Sequence, residues 1–597
     1  MKRKALLVLG LAVALTCTNV VSVYAAEGEN YSIETYSSNN NKVEASGNEQ
    51  KQENGNVSAS GKDAAAVKTT DNAKVSVNGN VSVEGEDAKG VESIGNSSVE
   101  VSGDVTAEGT RTTGISAEDK SNVMVDGTVK ADGSQATGIN SKGDVTAGGV
   151  LVEGADGRGV VAASGGKITI NNDVKVVEKN RGTLNGPISG VETETNGKVT
   201  VKGNVEVEGI GAMGIYSAQG VVNVNGNVKA SGTPQNNQKG ETVGISAQGT
   251  TISVKGNVTS DGTGIHIVKS SSGSKSTVEV NGSVTGSSGV VTNNGSDVTV
   301  GGAITATGGT GLNITMEGTT GSGKIKLGTL NVTKEDKTGI LLDVKNKNIQ
   351  NIDQLIQAMP EVNLFEINVK QGKYFDIDDG TTNDTISGTK ISKEEAADRI
   401  LKEKVKYSFR TEKTSNANIS LEQNEATEGT TVKFYVKAVD GYRVKGVSAG
   451  KAKVIDNGDG SYSIIVPRGG GVNISAIIEA IMKEQAGGQS TSSSEEYTVA
   501  NVVKYAEIQK QTQQKIKNME RGGNCVVELD TYISFNRETF EALSKRPDVS
   551  LTVIYKWKGV KYKVTIPAGY NVLDLLNEDG YCGCLYLNAI FGSQVVE

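Results

Sequence analysis

Only one histidine, His266, and one tryptophan occur in 597 residues, proline is limited to six positions, and aromatic residues make up 4% of the chain. A single histidine excludes multi-histidine zinc sites, and any histidine-based triad would have to use His266. That residue sits in Asp261-Gly-Thr-Gly-Ile265-His266 with no evident partner, and reads as a strand or loop histidine facing solvent. Between residues 55 and 345 the only Phe, Tyr or Trp is Tyr216, which argues against binding sugars there by ring stacking. No basic stripe is present and the net charge is −8, which disfavours nucleic acid as a partner. No second long apolar run follows the N-terminal one, so no transmembrane span is expected in the mature chain.

What is abundant is glycine, with 76 residues, alongside Val, Thr, Ser and Asn. A chain that turns often but has few large side chains suits stacked thin layers better than one thick interior.

The first residues, Met-Lys-Arg-Lys, are followed by the apolar run Ala5–Leu15 and by Val23-Tyr24-Ala25-Ala26. Basic, apolar and small-residue regions in that order predict a signal peptide over residues 1–25, and hence a secreted or cell-surface protein. A lipid anchor at Cys17 is a second reading, although Ala14-Leu15-Thr16 departs from the usual lipobox. The mature chain then keeps Cys525, Cys582 and Cys584. An odd count outside the cell permits one disulfide, Cys525 with Cys582 or Cys584, and one spare thiol; three inert thiols are the alternative.

The fold is read from internal repetition. The unit apolar-x-apolar-x-Gly-x-apolar appears as Val75-Ser-Val77-Asn-Gly79-Asn-Val81, around Gly103 and around Gly127. It recurs at Gly203, Gly226, Gly256, Gly282 and Gly302, with looser copies at Gly149 and Asn172. The first three glycines are 24 residues apart and later intervals run from 20 to 31, as when rungs are constant and loops vary. A second series runs in phase with it, glycine followed by a β-branched residue or leucine, at 90, 114, 138, 159 and onward to 339. Alternation of apolar and polar residues is the period of a strand with one buried face. Copies running in one direction, a full turn apart, stack as a parallel ladder rather than as hairpins. These features predict a mainly β chain with a right-handed parallel β-solenoid over residues 55–345, ten or more rungs rising ~4.8 Å each. This region resembles the parallel β-helices of bacterial surface proteins and adhesins, and more distantly those of polysaccharide lyases.

Residues 26–54, rich in Ser, Asn, Glu and Gln, read as a disordered or capping entry segment. Residues 346–404 read as a capping α/β segment, with a short helix at Ile352–Ile356 and another opened by Ser392-Lys-Glu-Glu395. Short strands separated by turn residues predict a small β-sandwich over 405–482. Its Asp440-Gly-Tyr442 and Asp459-Gly-Ser-Tyr462 resemble bacterial internalin B-repeat modules. A Gly/Ser linker over 483–496 precedes an α+β domain over 497–597, with helices near Val499–Met519 and Phe535–Leu543 and a hairpin from Ser550 to Ile566. The stretch from Asn536 through Arg546-Pro547-Asp548-Val549 and Ile566-Pro567-Ala568-Gly569 to Gly583 resembles a C-terminal domain of secreted Firmicutes proteins.

Acidic residues recur beside the glycine that ends the second short strand: Glu84, Glu108, Asp132, Glu208, Asp261, and Glu153 one residue out of phase. Stacked rungs would bring such carboxylates ~5 Å apart, able to share a calcium ion or, more plainly, to form a solvated acidic edge. A second row, Asn80, Asp104, Thr128, Asp173, Asn204, Asn227, Asn257 and Ser283, is expected to satisfy the corners of the turns. No catalytic constellation is visible. The expected function is a structural or adhesive scaffold facing an extracellular ligand such as a glycan, cell wall or host surface protein. The alternative is a polysaccharide-acting lyase or glycoside hydrolase.

Overall fold

The computed structural model describes residues 41–179, 188–232, 241–317, 321–345, 351–481, 499–529, 534–557, 560–577 and 580–596. The expected signal peptide with Cys17, residues 26–40 and the expected linker lie outside the described residues. The chain divides into two compact units, residues 1–482 and 483–597.

In the first unit most repeats fold as three short strands, and in a few the second and third merge into one. The opening turn consists of β1 (Val43–Ala45), β2 (Gln50–Glu53) and β3 (Val57–Ser60), one on each face of a three-sided coil. Each strand pairs in parallel with its counterpart one turn later, Val43 beside Val67, Lys51 beside Val75 and Val57 beside Val81. The first face is a sheet of 14 strands ending at Phe375–Asp378, a stack of roughly 60 Å at the usual strand spacing. Alternation decides which side chains enter: Val75 and Val77 are buried and Ser76 between them faces outward. Columns of Val and Ile thus form one continuous core, each fully buried side chain contributing about 2 kcal/mol of apolar burial.

The repeated glycines answer two different demands. A Cβ on Gly103 would sit 2.7 Å from the Gly79 carbonyl oxygen one turn back, so this position requires close backbone approach. Gly85, Gly109 and Gly133, at the next corner, have φ between +135° and +153°, a conformation other residues avoid.

The regular stack is longer than the sequence pattern indicated. Residues 43–53, inside the stretch read as a disordered or capping entry segment, form the first two described strands, because pairing and the columns behind them make up for their polar composition. At the other end, Glu361–Val369 and Phe375–Asp378 continue the ladder. Val405–Ser408, expected in the sandwich, pairs in parallel with Val362–Leu364. The expected capping segment therefore holds rungs, into which α1 (Ile352–Ala358) and α2 (Lys393–Glu403) are inserted. Asn351 and Ser392 cap these helices through the backbone N–H groups of Gln354 and Glu395. Two small sheets follow, of three and four strands, sharing the solenoid's core through Phe434, Ile464 and Ile474.

The second unit contains α3 (Val499–Asn518), a four-stranded sheet, α4 (Arg537–Ser544), a two-stranded sheet and α5 (Cys584–Phe591). The expected hairpin is present as Ser550–Trp557 paired antiparallel with Val560–Ile566. Among the described residues no helix is long and apolar enough to cross a membrane.

Candidate functional site

Polar columns on the outside of the solenoid are the features that recur most regularly, and each arises from one fixed position in the repeat. At the corner between the second and third faces, Asn80 Oδ1 accepts the backbone N–H of Asp104 at 2.9 Å. Asp104 serves Thr128 in the same way at 2.7 Å, and Asp173, Asn204, Asn227 and Asn257 continue the relay to Ser283. Each side chain satisfies a corner amide that no strand can reach, which makes this row structural. Where the relay lapses, at Gly149, the corner straightens and Asn122–Asp132 and Asp144–Glu153 run through it as single strands.

The acidic residues are brought together only in part. Glu84, Glu108, Asp132 and Glu153 are register partners in consecutive turns. Glu153, one residue out of phase in sequence, is returned to register by the irregularity between Val125 and Thr128. Val177 then interrupts the row, so Glu208 stands apart from it. Asp261 is diverted to accept the Gly232 N–H at 2.8 Å. Lys179 at 2.8 Å and Lys130 at 3.7 Å hold the Glu153 carboxyl below its ordinary range. Among the described residues no three Asp, Glu, His or Cys side chains converge as a metal-holding group.

His266 lies half-buried on the first face, in the outer column between Ser246 and Val291, two turns from Tyr216. No carboxylate stands beside it in that column. Earlier in the same column Glu92 is nearly enclosed. Burial works to raise its carboxyl, but Lys68 at 2.7 Å and Lys89 outweigh that and keep it below the ordinary range.

A groove of about 850 Å³ lies against the last first-face strands, walled by Tyr374, Asp376, Asp378, Asp384, Lys393 and Arg468. Its charges are largely matched: Lys373–Asp376 at 3.0 Å, Lys345–Asp378 at 2.8 Å and Arg468–Asp398 at 3.0 Å. Behind it Asp379 is buried and pairs with Lys393 at 2.8 Å, while also accepting from the backbone of Thr381 and Ser387. Burial pushes its carboxyl up, and these donors overcome that, holding it far below the usual carboxylate range. Sequence reading missed this groove because its lining comes from segments as far apart in the chain as Leu341 and Arg468. It also passed over the outward x of each apolar-x-apolar unit, which builds in-register hydroxyl and amide columns such as Thr146, Thr169, Thr200, Asn223 and Ser253.

Of the two readings of the cysteines, the structure has the three separate thiols. Cys525, Cys582 and Cys584 are all buried thiols outside any disulfide. Cys525 belongs to the four-stranded sheet, while Cys582 lies on the two-stranded sheet beside Phe535, so each fills a separate part of the core. Burial, reinforced by Cys584, pushes the Cys582 thiol up to about 12.

No family model, curated protein or solved structure matches the chain.

Proposed function

We propose that the chain is a secreted or cell-surface structural and adhesive scaffold, whose solenoid presents a repetitive polar face to an extracellular ligand. The observation that carries this reading is the unbroken register of the first face across 14 strands, with the interior filled by small apolar residues and short polar side chains repeated outside. Such a stack is a rigid ruler that displays one chemical group per turn. The resemblance to bacterial surface adhesins and to secreted Firmicutes domains supports the same reading.

The carboxylates Glu92, Glu153 and Glu206 are held ionised by lysine neighbours. Fractionation of producing cells, with a binding screen against glycans, cell-wall material and host matrix proteins, tests the scaffold reading. Recovery in the extracellular or surface fraction with retention on one of these materials supports it. A protein confined to the cytoplasm, or one that depolymerises a polysaccharide, sinks it.

A further inference from the structure

We infer that the outer column of the third face from Thr259 to Asn368, with the groove at its end, binds an anionic linear polysaccharide lying along the stacking direction. This rests on the scaffold reading and names the ligand class and its place.

Thr259, Thr285, Thr305, Asn331 and Asn368 are register partners in five consecutive turns. They offer one hydroxyl or amide every ~4.8 Å, close to the advance of one sugar in an extended polysaccharide. The threonine hydroxyls form no side-chain hydrogen bond among the described residues. The two asparagines are fixed in orientation, Asn368 Nδ2 donating to Asn331 Oδ1 at 3.0 Å and Lys451 Nζ to Asn368 Oδ1 at 2.7 Å.

The column runs into a groove of about 540 Å³ lined by Thr305, Asn331, Asn368, Lys370, Tyr374 and Lys451. Two lysines and no carboxylate line it, in a chain of net charge −8. The partners of these lysines, Glu335 at 3.0 Å from Lys370 and Glu366 at 2.6 Å from Lys451, stand outside the lining. The two ammonium groups, each shared with a glutamate outside the lining, are the charged donors that face the groove and can take the carboxylates of a polyuronate, while hydroxyl and amide groups match its sugar hydroxyls. Tyr374 adds a ring on which a sugar can stack, the feature that residues 55–345 lack outside Tyr216. An extended peptide fits less well, because it would seek open backbone edges and this face has its backbone committed to the ladder.

The test uses the full chain and three probes: alginate as a polyuronate, dextran as a neutral polysaccharide and poly-L-glutamate as an anion without sugar. Calorimetry should show alginate bound at least about tenfold more tightly than either of the others, with affinity falling as salt rises. The double variant Thr285→Val/Thr305→Val and the exposed Lys370→Gln should each weaken alginate binding about tenfold at unchanged melting temperature. The control Thr169→Val/Thr200→Val, on the second face, should leave it unchanged. Absence of alginate binding, equal affinity for poly-L-glutamate, or full affinity in both third-face variants overturns the inference. A protein that ignores alginate but is retained by cell walls or matrix leaves the scaffold reading standing; retention on none of them removes both.

Discussion

The side-chain oxygen of Asn80 accepts the backbone N–H of Asp104 one turn later at 2.9 Å, and it occupies the space that a Cβ on Gly103 would need. Hydrogen-bond relay and glycine column are therefore one device: the asparagine needs the neighbouring turn to carry no side chain.

Asn80→Ala should cost about 1 kcal/mol, the worth of one partly exposed hydrogen bond. Gly103→Ala should cost about 2 kcal/mol or more through overpacking. The double variant should cost less than the sum, because removing the asparagine vacates part of the clash. The Gly79 carbonyl, 2.7 Å from the added Cβ, keeps the relief incomplete. Urea midpoints of the four proteins measure this coupling, and strict additivity would contradict it.

Asp379 and Lys393 predict a pH dependence. The Asp379 carboxyl is held below the value of about 4 expected in the unfolded chain. Its contribution is thus complete above that value and is lost as pH falls through the lower folded-state pKa. Asp379→Asn should destabilise by about 2 kcal/mol at pH 7, where Lys393 loses its buried partner, and the penalty should shrink below roughly pH 4. Melting curves of both proteins from pH 7 to pH 3 check it.

Strand β2 predicts that the first described turn resists pairing with another chain. Lys51 and Glu53 are the register partners of Val75 and Val77, so charged residues occupy positions that later turns give to the core. Both of these valines are buried, whereas Lys51 is exposed and its ammonium contacts the Glu44 carbonyl and Glu49. An apolar end with open strand edges would recruit another chain. Lys51→Val/Glu53→Val should therefore self-associate, seen by light scattering as mass that rises with concentration. A strictly monomeric variant would show that these charges do not guard the end.

The buried thiols predict silence toward reagents. Cys525, Cys582 and Cys584 should react with Ellman's reagent only on unfolding, and reductant should not alter the melting temperature. Missing thiol in the unreduced, unfolded protein would instead reveal a disulfide.

By itself the sequence determined the parallel stack, because alternation of Val with polar residues and the spacing of Gly79, Gly103 and Gly127 are short-range signals repeated many times. It also determined the helix start at Ser392, where the cap side chain and its target, the Glu395 N–H, lie three residues apart. Only the tertiary structure decided that residues 43–53 and 405–408 join the stack, that Glu153 rejoins Asp132, and that Thr259, Thr285, Thr305, Asn331 and Asn368 form one line. Those facts depend on register between segments separated by loops of unequal length. Register is set by what each turn finds packed against it, which no local pattern records.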